Sequence, residues 1–125
     1  MNIPNDLRYT KDHEWLKIDG DVALVGITSF AQAELGDIVF VDIDSEGELL
    51  ENGEVFGTIE AVKTVSDLFM PVNGKVIEFN EQLEETPELI NTDPFGAGWI
   101  IKVSISDDSK LNELLSSDQY ENLIS

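Results

Sequence analysis

The stretch GTIEAVKTVSDLFMPVNGKV, residues 57–76, organises the rest of the chain. It consists of two apolar segments with strand-like composition and a short polar turn between them. Lys63 lies near the apex of that turn, and no other lysine or arginine occurs between Lys17 and Lys75. A lone amine at the tip of a tight hairpin is accessible to a modifying enzyme, whereas most lysines at β-turns only keep the surface solvated. The remainder of the sequence is needed to choose between these roles.

The composition indicates one globular domain with a strongly acidic surface. The 125 residues include 26 Asp and Glu against seven Lys and Arg, a formal net charge of −19, and 42% are hydrophobic. A chain of this length and apolar content forms a single core. We expect one domain over residues 1–125, with a core over about 8–106 and a helical C-terminal segment over about 107–125. The negative charge excludes nucleic acid and anionic membranes as partners, because both repel an acidic surface, and it favours basic protein surfaces.

Residue types that build metal, disulfide and catalytic sites are almost absent. The chain has no cysteine and one histidine, His13, so thiolate sites, disulfides and histidine-rich metal sites are excluded. His13 has no companion nucleophile or ligand set, which favours a structural role over a catalytic one. The first residues lack a basic region followed by an apolar run, and no apolar run approaches membrane-spanning length. We therefore expect a cytoplasmic, monomeric protein that is not an enzyme.

The chain before the lysine hairpin predicts another hairpin and a short helix. A hairpin over residues 9–27 has Asp19-Gly20 as its turn, because glycine tolerates the positive φ of a tight turn. Ser29 followed by Gln32 has the spacing of a capping box, and Gly36 is suited to the C-terminal end of that helix. Two strands are expected next, joined by an acidic loop: 37–43 and 54–62.

The chain after Lys63 predicts more strands, a helix start and a helical C-terminus. Asn73-Gly74 is a strong signal for a tight turn. Thr86-Pro87 has the arrangement of a helix start, and Asp93-Pro94 predicts a turn. Strands are expected over 68–72, 75–80 and 99–105. Apolar residues of the C-terminus recur with helical spacing, and we expect them to pack on the sheets: Leu111, Leu114, Leu115, Tyr120, Leu123 and Ile124.

A loose internal repeat indicates how the strands assemble. The strand over 37–43, an acidic loop and the strand after Gly53 resemble the strand over 75–80, an acidic loop and the strand after Gly98. Two such arms joined by the lysine hairpin would close as two packed sheets that present a single hairpin tip. We therefore predict a mainly β fold of two antiparallel sheets, with short helices and a C-terminal helix.

Ordered motifs along the chain resemble one protein family. EAVKTVSD at 60–67, followed by PVNG at 71–74, resembles the lipoylation hairpin of the glycine cleavage system H protein. The similarity extends in order from Tyr9 to Leu123. Further motifs that match the family are HEW at 13–15, VGIT at 25–28, LGDIV at 35–39, NTDP at 91–94 and GW at 98–99.

This resemblance implies a lipoyl-domain-like barrel-sandwich hybrid and a carrier rather than an enzyme. Lipoate would be joined in amide linkage to Lys63 by a lipoate ligase or a lipoyl/octanoyl transferase. The arm would accept an aminomethyl group derived from glycine at the P protein, a pyridoxal-phosphate glycine decarboxylase. It would deliver that group to the T protein, an aminomethyltransferase that uses tetrahydrofolate. The L protein, dihydrolipoamide dehydrogenase, would then reoxidise the dithiol.

The resemblance also implies a cleft beside the hairpin. Amide formation removes the charge of Lys63, so the modified arm is apolar and tends to lie against apolar surface. A cleft would shelter the aminomethyl group from water, with carboxylates facing its protonated amine. The residues expected there are Glu14, Phe30, Ala31, Leu35 and Asp67. Glu60 and Asp67 bracket Lys63 and are candidates for recognition by the modifying enzyme, although solubilising the turn is their alternative role. For Glu14 the alternative is an exposed strand carboxylate, and for the three apolar residues it is helix-to-sheet packing.

Three other functions fit parts of the sequence. A biotin carrier has a similar hairpin, but that family typically flanks its lysine with methionines, whereas Val62 and Thr64 flank Lys63 here. An H-like protein can also serve as a lipoyl reservoir, from which an amidotransferase moves lipoate to other carriers. An unmodified acidic interaction domain would leave Lys63 as a free amine. The chemical state of Lys63 separates the biotin carrier and the unmodified domain from a lipoyl protein.

Overall fold

The computed structural model describes the backbone of residues 3–125 and the side chains of 3–106 and 111–125. Within these residues the chain forms two antiparallel sheets, short helices and a C-terminal helix, which confirms the predicted mainly β architecture. None of the helices described is long and apolar enough to cross a membrane.

A six-stranded sheet and a three-stranded sheet make up the β structure. The large sheet has the spatial order β1-β2-β3-β9-β8-β5, and the small sheet has the order β4-β6-β7. In chain order the strands are β1 (Arg8–Tyr9), β2 (Glu14–Asp19), β3 (Val22–Ile27), β4 (Ile38–Asp42), β5 (Leu49–Leu50), β6 (Val55–Ala61), β7 (Val65–Phe69), β8 (Asn73–Phe79) and β9 (Ile101–Asp107). The helices are α1 (Ser29–Leu35), α2 (Gln82–Glu85), α3 (Leu89–Thr92) and α4 (Ser117–Ile124), with a 3-10 helix over Asp108–Glu113.

The core lies between the inner faces of the two sheets. Leu16, Val25 and Ile101 of the large sheet and Ile59 and Leu68 of the small sheet are buried in one cluster. Each such side chain stabilises the fold by roughly 1.5–3 kcal/mol through removal of apolar surface from water. The lysine hairpin is formed by β6 and β7, so its base is anchored in this core.

A second cluster attaches α4 to the N-terminal strands. Tyr120 of α4 stacks on Tyr9 with ring centroids 4.8 Å apart, and Trp15 is buried in the same cluster. Trp15 faces Gly26 on β3, where a Cβ atom would lie 2.7 Å from the indole ring, so the ring requires glycine there. The prediction that the C-terminal segment packs on the sheets holds for most of its apolar residues, whereas Leu123 is exposed.

The sequence located the end of α1 correctly, whereas the first hairpin turn and the N-cap of α1 each lie one residue from the predicted position. Asp19 pairs with Val22, so the first hairpin turns at Gly20-Asp21 rather than at Asp19-Gly20. The N-cap of α1 is Thr28, not Ser29, because the Thr28 hydroxyl accepts from the Ala31 backbone N–H. Gly36 ends α1 as predicted, with φ of 84°.

Strand pairing overrides the sequence signal at two places after the lysine. Asn73-Gly74 forms the start of β8 rather than a turn, because Gly74 is paired with Leu50 on one side and Ile105 on the other. A Cβ atom at Gly74 would lie 2.5 Å from the Ser104 carbonyl oxygen, so this glycine permits close approach of two strands. The second strand of the lysine hairpin is β7, residues 65–69, not 68–72, because it pairs with β6 directly after the turn. The predicted 99–105 strand begins at Ile101.

Candidate functional site

Lys63 lies in an exposed loop of three residues that joins β6 to β7. The strands close at the Glu60–Val65 pair, and the Ala61 N–H donates to the Thr64 carbonyl at 2.8 Å. The Val62 N–H donates to the Asp37 carbonyl at 3.0 Å. The hairpin tip is therefore fixed by main-chain hydrogen bonds to the chain segment that follows α1.

The Lys63 side chain lies over Gly36. A Cβ atom at Gly36 would be 3.6 Å from Lys63 Cε and 4.0 Å from Nζ. Gly36 is the C-terminal end of α1, where free carbonyl groups carry partial negative charge that favours a cation. Glycine at this position provides the positive φ that ends the helix, and the lysine side chain packs directly over it.

The Asn91 amide holds the segment to which the lysine loop is bonded. Its Oδ1 accepts from the Ile38 N–H at 2.9 Å, and its Nδ2 donates to the Gly36 carbonyl at 2.8 Å and to Gln32 Oε1 at 3.0 Å. Asn91 thus connects α3 to the junction between α1 and β4. Sequence reasoning missed this role because the partners are more than 50 residues away, although Asn91 belongs to the NTDP motif.

A cleft of about 430 Å³ adjoins the hairpin, with Ile27, Ile59 and Leu68 as apolar wall. The structure brings all five residues expected in such a cleft to its lining: Glu14, Phe30, Ala31, Leu35 and Asp67. Phe30, Ala31 and Leu35 come from α1, so the cleft lies between this helix and the β6–β7 hairpin. Glu60 does not line it, because Glu60 is exposed on β6 in the row between Phe40 and Val65. Asp67 is exposed on β7.

Glu14 is a buried carboxyl group in this cleft. Its side chain is 2% exposed, so the alternative of an exposed strand carboxylate is wrong. Its Oε2 accepts from the Phe69 N–H at 2.8 Å, and its Oε1 accepts a long hydrogen bond of 3.5 Å from the Thr10 hydroxyl. Burial raises the pKa of Glu14 to about 8, and the bond from Phe69 only partly opposes that shift. The carboxyl group is therefore largely protonated near neutral pH when no cation faces it.

His13 joins the wall of the cleft to α4. Its Nδ1 lies 2.9 Å from the Tyr120 hydroxyl, which shares a second hydrogen bond of 2.7 Å with the Thr28 hydroxyl. The imidazole also packs on Phe30, with ring centroids 4.8 Å apart. Burial lowers the pKa of His13, which favours the neutral ring. His13 has a φ of 66°, a rare conformation outside glycine, and this network holds it there.

Four acidic residues line the cleft. Asp12, Glu34 and Asp67 do so together with Glu14, and negative charge from such groups favours a protonated amine there. A second cavity of about 320 Å³ also adjoins Glu14 and is lined by Thr10, Lys11 and Leu115 among others. The buried carboxyl group of Glu14 therefore lies between the cleft and this second cavity.

Comparisons with known proteins agree with this arrangement. A family model described as glycine cleavage H-protein matches residues 7–125. The chain is 57% identical over 124 residues to a glycine cleavage system H protein of Bacteroides fragilis, with 99% of this chain and 98% of that protein covered. It is 52% identical over 124 residues to the protein of that name from Staphylococcus epidermidis, with the same coverage.

A solved structure is similar over almost the full length. The crystal structure of a glycine cleavage system H protein from Mycobacterium marinum matches with a TM-score of 0.87 and 43% identity, covering 96% of this chain and 97% of that one. This likeness confirms the lipoyl-domain-like barrel-sandwich hybrid that the motifs implied. The resemblance of the hairpin extends to the whole fold, and the chain belongs to the glycine cleavage H-protein family.

Proposed function

We propose that this chain is a lipoyl carrier of the glycine cleavage system, with lipoate attached to Lys63. The observation that supports this best is the position of the lysine beside the cleft. Its side chain lies over Gly36, and the neighbouring Leu35 lines the cleft. An arm that begins at Nζ can therefore pass over the end of α1 and reach apolar surface directly.

The cleft fits an apolar arm with a cationic end. Its volume of about 430 Å³ is in the range of roughly 300–1,000 Å³ found for small-molecule sites. Phe30, Ala31 and Leu35 provide apolar contact, and Glu14 and Asp67 provide carboxylates. When attached, lipoate would supply a disulfide as the acceptor for the aminomethyl group of glycine.

In this role the chain binds and shelters its cargo, and the partner enzymes perform the chemistry. The aminomethyl group is taken up at the P protein and given to the T protein, and the L protein reoxidises the dithiol. Lipoate ligase or a lipoyl/octanoyl transferase attaches the arm, with Glu60 and Asp67 as recognition contacts. The protein acts as a monomer in the cytoplasm.

Glu14 has a specific part in this proposal. Burial keeps its carboxyl group protonated near neutral pH, but an ammonium group in the cleft favours the ionised form. Arrival of the cargo therefore releases a proton from Glu14 and creates a buried ion pair. Such a pair holds the amine in the cleft, because removing either partner would leave an uncompensated buried charge.

Mass spectrometry of the intact protein and its peptides tests the attachment site. Protein from a lipoate-competent cell should carry a lipoyl increment on the Lys63 peptide, and Lys63→Arg should lack it. A biotin increment would make the chain a biotin carrier, and an unmodified lysine would favour an acidic interaction domain. The lipoylated protein should then support glycine decarboxylation with the P protein.

Loss of the loaded aminomethyl group from the free carrier tests the cleft. Glu14→Ala should release the group to water faster than the unchanged protein, because the cationic amine loses its buried partner. Glu60→Ala is the matched control, since Glu60 does not line the cleft. Equal decay rates for the unchanged protein and Glu14→Ala would show that Glu14 does not hold the aminomethyl group.

A further inference from the structure

The outer side of the small sheet carries an apolar patch next to the lysine tip. The exposed fractions are 75% for Val62, 62% for Val65, 52% for Phe40 and 45% for Val39. We call these four residues the outer patch. Other large hydrophobic side chains that are exposed in the described part of the chain lie elsewhere: Leu49, Val55, Ile77 and Leu123. Grouped apolar exposure with a polar rim is typical of a protein-interaction site.

The strand register places Phe40 and Val65 of the outer patch on the side opposite the core. Phe40 pairs with Glu60, and Glu60 pairs with Val65, so these three side chains form one row across the three strands. The next row is Asp42, Thr58 and Asp67. Side chains alternate between the two faces of a strand, and the neighbouring Ile59, Ala61 and Leu68 are buried. The core therefore does not account for the outer patch.

A β-bulge builds this patch. The register shifts between Ile38 and Phe40, and as a result Val39 and Phe40 are both exposed although they are consecutive. A regular strand would have turned one of them to the inner face. Bulges re-aim side chains and are frequent next to functional sites.

We propose that the outer patch docks the enzyme that acylates Lys63, and that this enzyme presents an apolar surface ringed by lysine and arginine. The inference rests on the proposed function. Val62 immediately precedes Lys63 in the tip, so an enzyme seated on the patch has the amine beside it. Enzymes that handle the cargo must instead reach the cleft, which is lined by the inner residues Ile59 and Leu68.

The negative charge around the outer patch favours a basic enzyme surface over a second copy of the chain as its partner. Glu60 lies within the patch, and Asp42 and Asp67 lie in the adjacent row, while the whole chain has a net charge of −19. Two such faces repel each other. A basic rim on the partner is attracted to these carboxylates and is also guided to them during encounter.

Acylation kinetics of the full chain test this docking surface. A lipoate–protein ligase, lipoate and ATP are the probe, and mass spectrometry follows the increment on Lys63. The double variant Phe40→Thr/Val65→Thr should raise KM for the carrier by about tenfold while kcat stays within about twofold. The control Val55→Thr/Ile77→Thr removes similarly exposed apolar side chains away from the tip and should leave KM unchanged. Threonine preserves β propensity, and thermal unfolding verifies that both variants fold.

The outcomes separate this inference from the proposed function. If the unchanged chain is acylated and the double variant has the same KM, or loses kcat alone, docking on the outer patch is refuted and the carrier role stands. If the unchanged chain is not acylated, both fail together. KM of the unchanged chain should also rise with added salt, and salt-independent KM would overturn the basic rim. A dimer that dissociates in the double variant would assign the patch to a second copy instead.

Discussion

Glu14→Gln should stabilise the protein, and increasingly so as the pH rises. The glutamine Oε1 can accept from the Phe69 N–H as the carboxyl group does, so the shape and the shorter hydrogen bond are retained. The substitution removes a buried carboxyl group that ionises as the pH rises. The folded-state pKa of Glu14 is about 8, against an ordinary value of 4.5 in the unfolded chain.

The sign of the effect follows from proton binding. Between pH 4.5 and about 8 the folded chain keeps a proton on Glu14 that the unfolded chain has lost. Stability from this group is complete below the unfolded pKa, falls as the pH rises through the window, and stays low above the folded pKa. The unfolding free energy changes by about 1.4 kcal/mol per pH unit for one proton. From about pH 5.5 to about pH 7, Glu14→Gln should therefore gain about 2 kcal/mol over the unchanged protein.

Urea unfolding at a series of pH values measures this difference, with tryptophan fluorescence as the signal. The other carboxylates contribute their own pH dependence, but the same set is present in both proteins, so their effect cancels in the difference. Glu60→Gln is the matched control for the loss of one carboxyl group, since Glu60 is exposed and does not line the cleft, and it should not reproduce the gain of Glu14→Gln. Parallel curves for Glu14→Gln would refute the reasoning, because they would show that the buried carboxyl ionises as it does in water.

Two further substitutions test the hydrogen bonds that frame the site. Tyr120→Phe removes the hydroxyl shared by His13 and Thr28, and should lower the unfolding free energy by about 1–3 kcal/mol because the buried Thr28 hydroxyl and the partly buried His13 ring lose a partner. Unchanged urea unfolding would show that water replaces the hydroxyl at no cost. Asn91→Ala removes three hydrogen bonds at the base of the lysine loop and should cost about 3 kcal/mol, with slower acylation of Lys63. Asn91→Asp keeps the acceptor for the Ile38 N–H, and its Lys63 should be acylated at an intermediate rate. If both variants are acylated as fast as the unchanged chain, Asn91 does not hold the lysine loop in place.

The sequence predicted features that depend on a few neighbouring residues. Gly36 ends α1 as expected, because the left-handed conformation at a helix end strongly favours glycine. The Asn73-Gly74 signal failed since a local turn preference is weaker than pairing with strands on both sides. The cap of α1 was predicted at Ser29, but the neighbouring Thr28 has an equivalent hydroxyl group and the extended backbone conformation of an N-cap.

The same distinction between local and long-range contacts applies to the residues of the candidate site. The family resemblance predicted Lys63 as the attachment site and five residues as a cleft, and the structure gathers those five around one cleft. The burial of Glu14 and the Asn91 contacts could not be read from sequence, because their hydrogen-bond partners are 53 to 59 residues away. The HEW and NTDP motifs include these two residues, but neither motif shows which groups their side chains contact.

The small sheet explains how one lysine can satisfy two opposed requirements. A group that an enzyme must modify has to be exposed, whereas a labile cargo on the same group has to be hidden. The tip of the β6–β7 hairpin extends beyond the core but is held to Asp37 by a backbone hydrogen bond, so its exposure does not require a loose loop. The two faces of the sheet then differ: the buried Ile59 and Leu68 line the cleft, and exposed residues of the outer face form the apolar patch. Asp67 is exposed and also lines the cleft, so it adjoins both sites. In our proposals acylation uses the outer face and cargo storage uses the inner one. Substitutions on one face should therefore change one process and spare the other, which distinguishes this division of roles from a general effect on the hairpin.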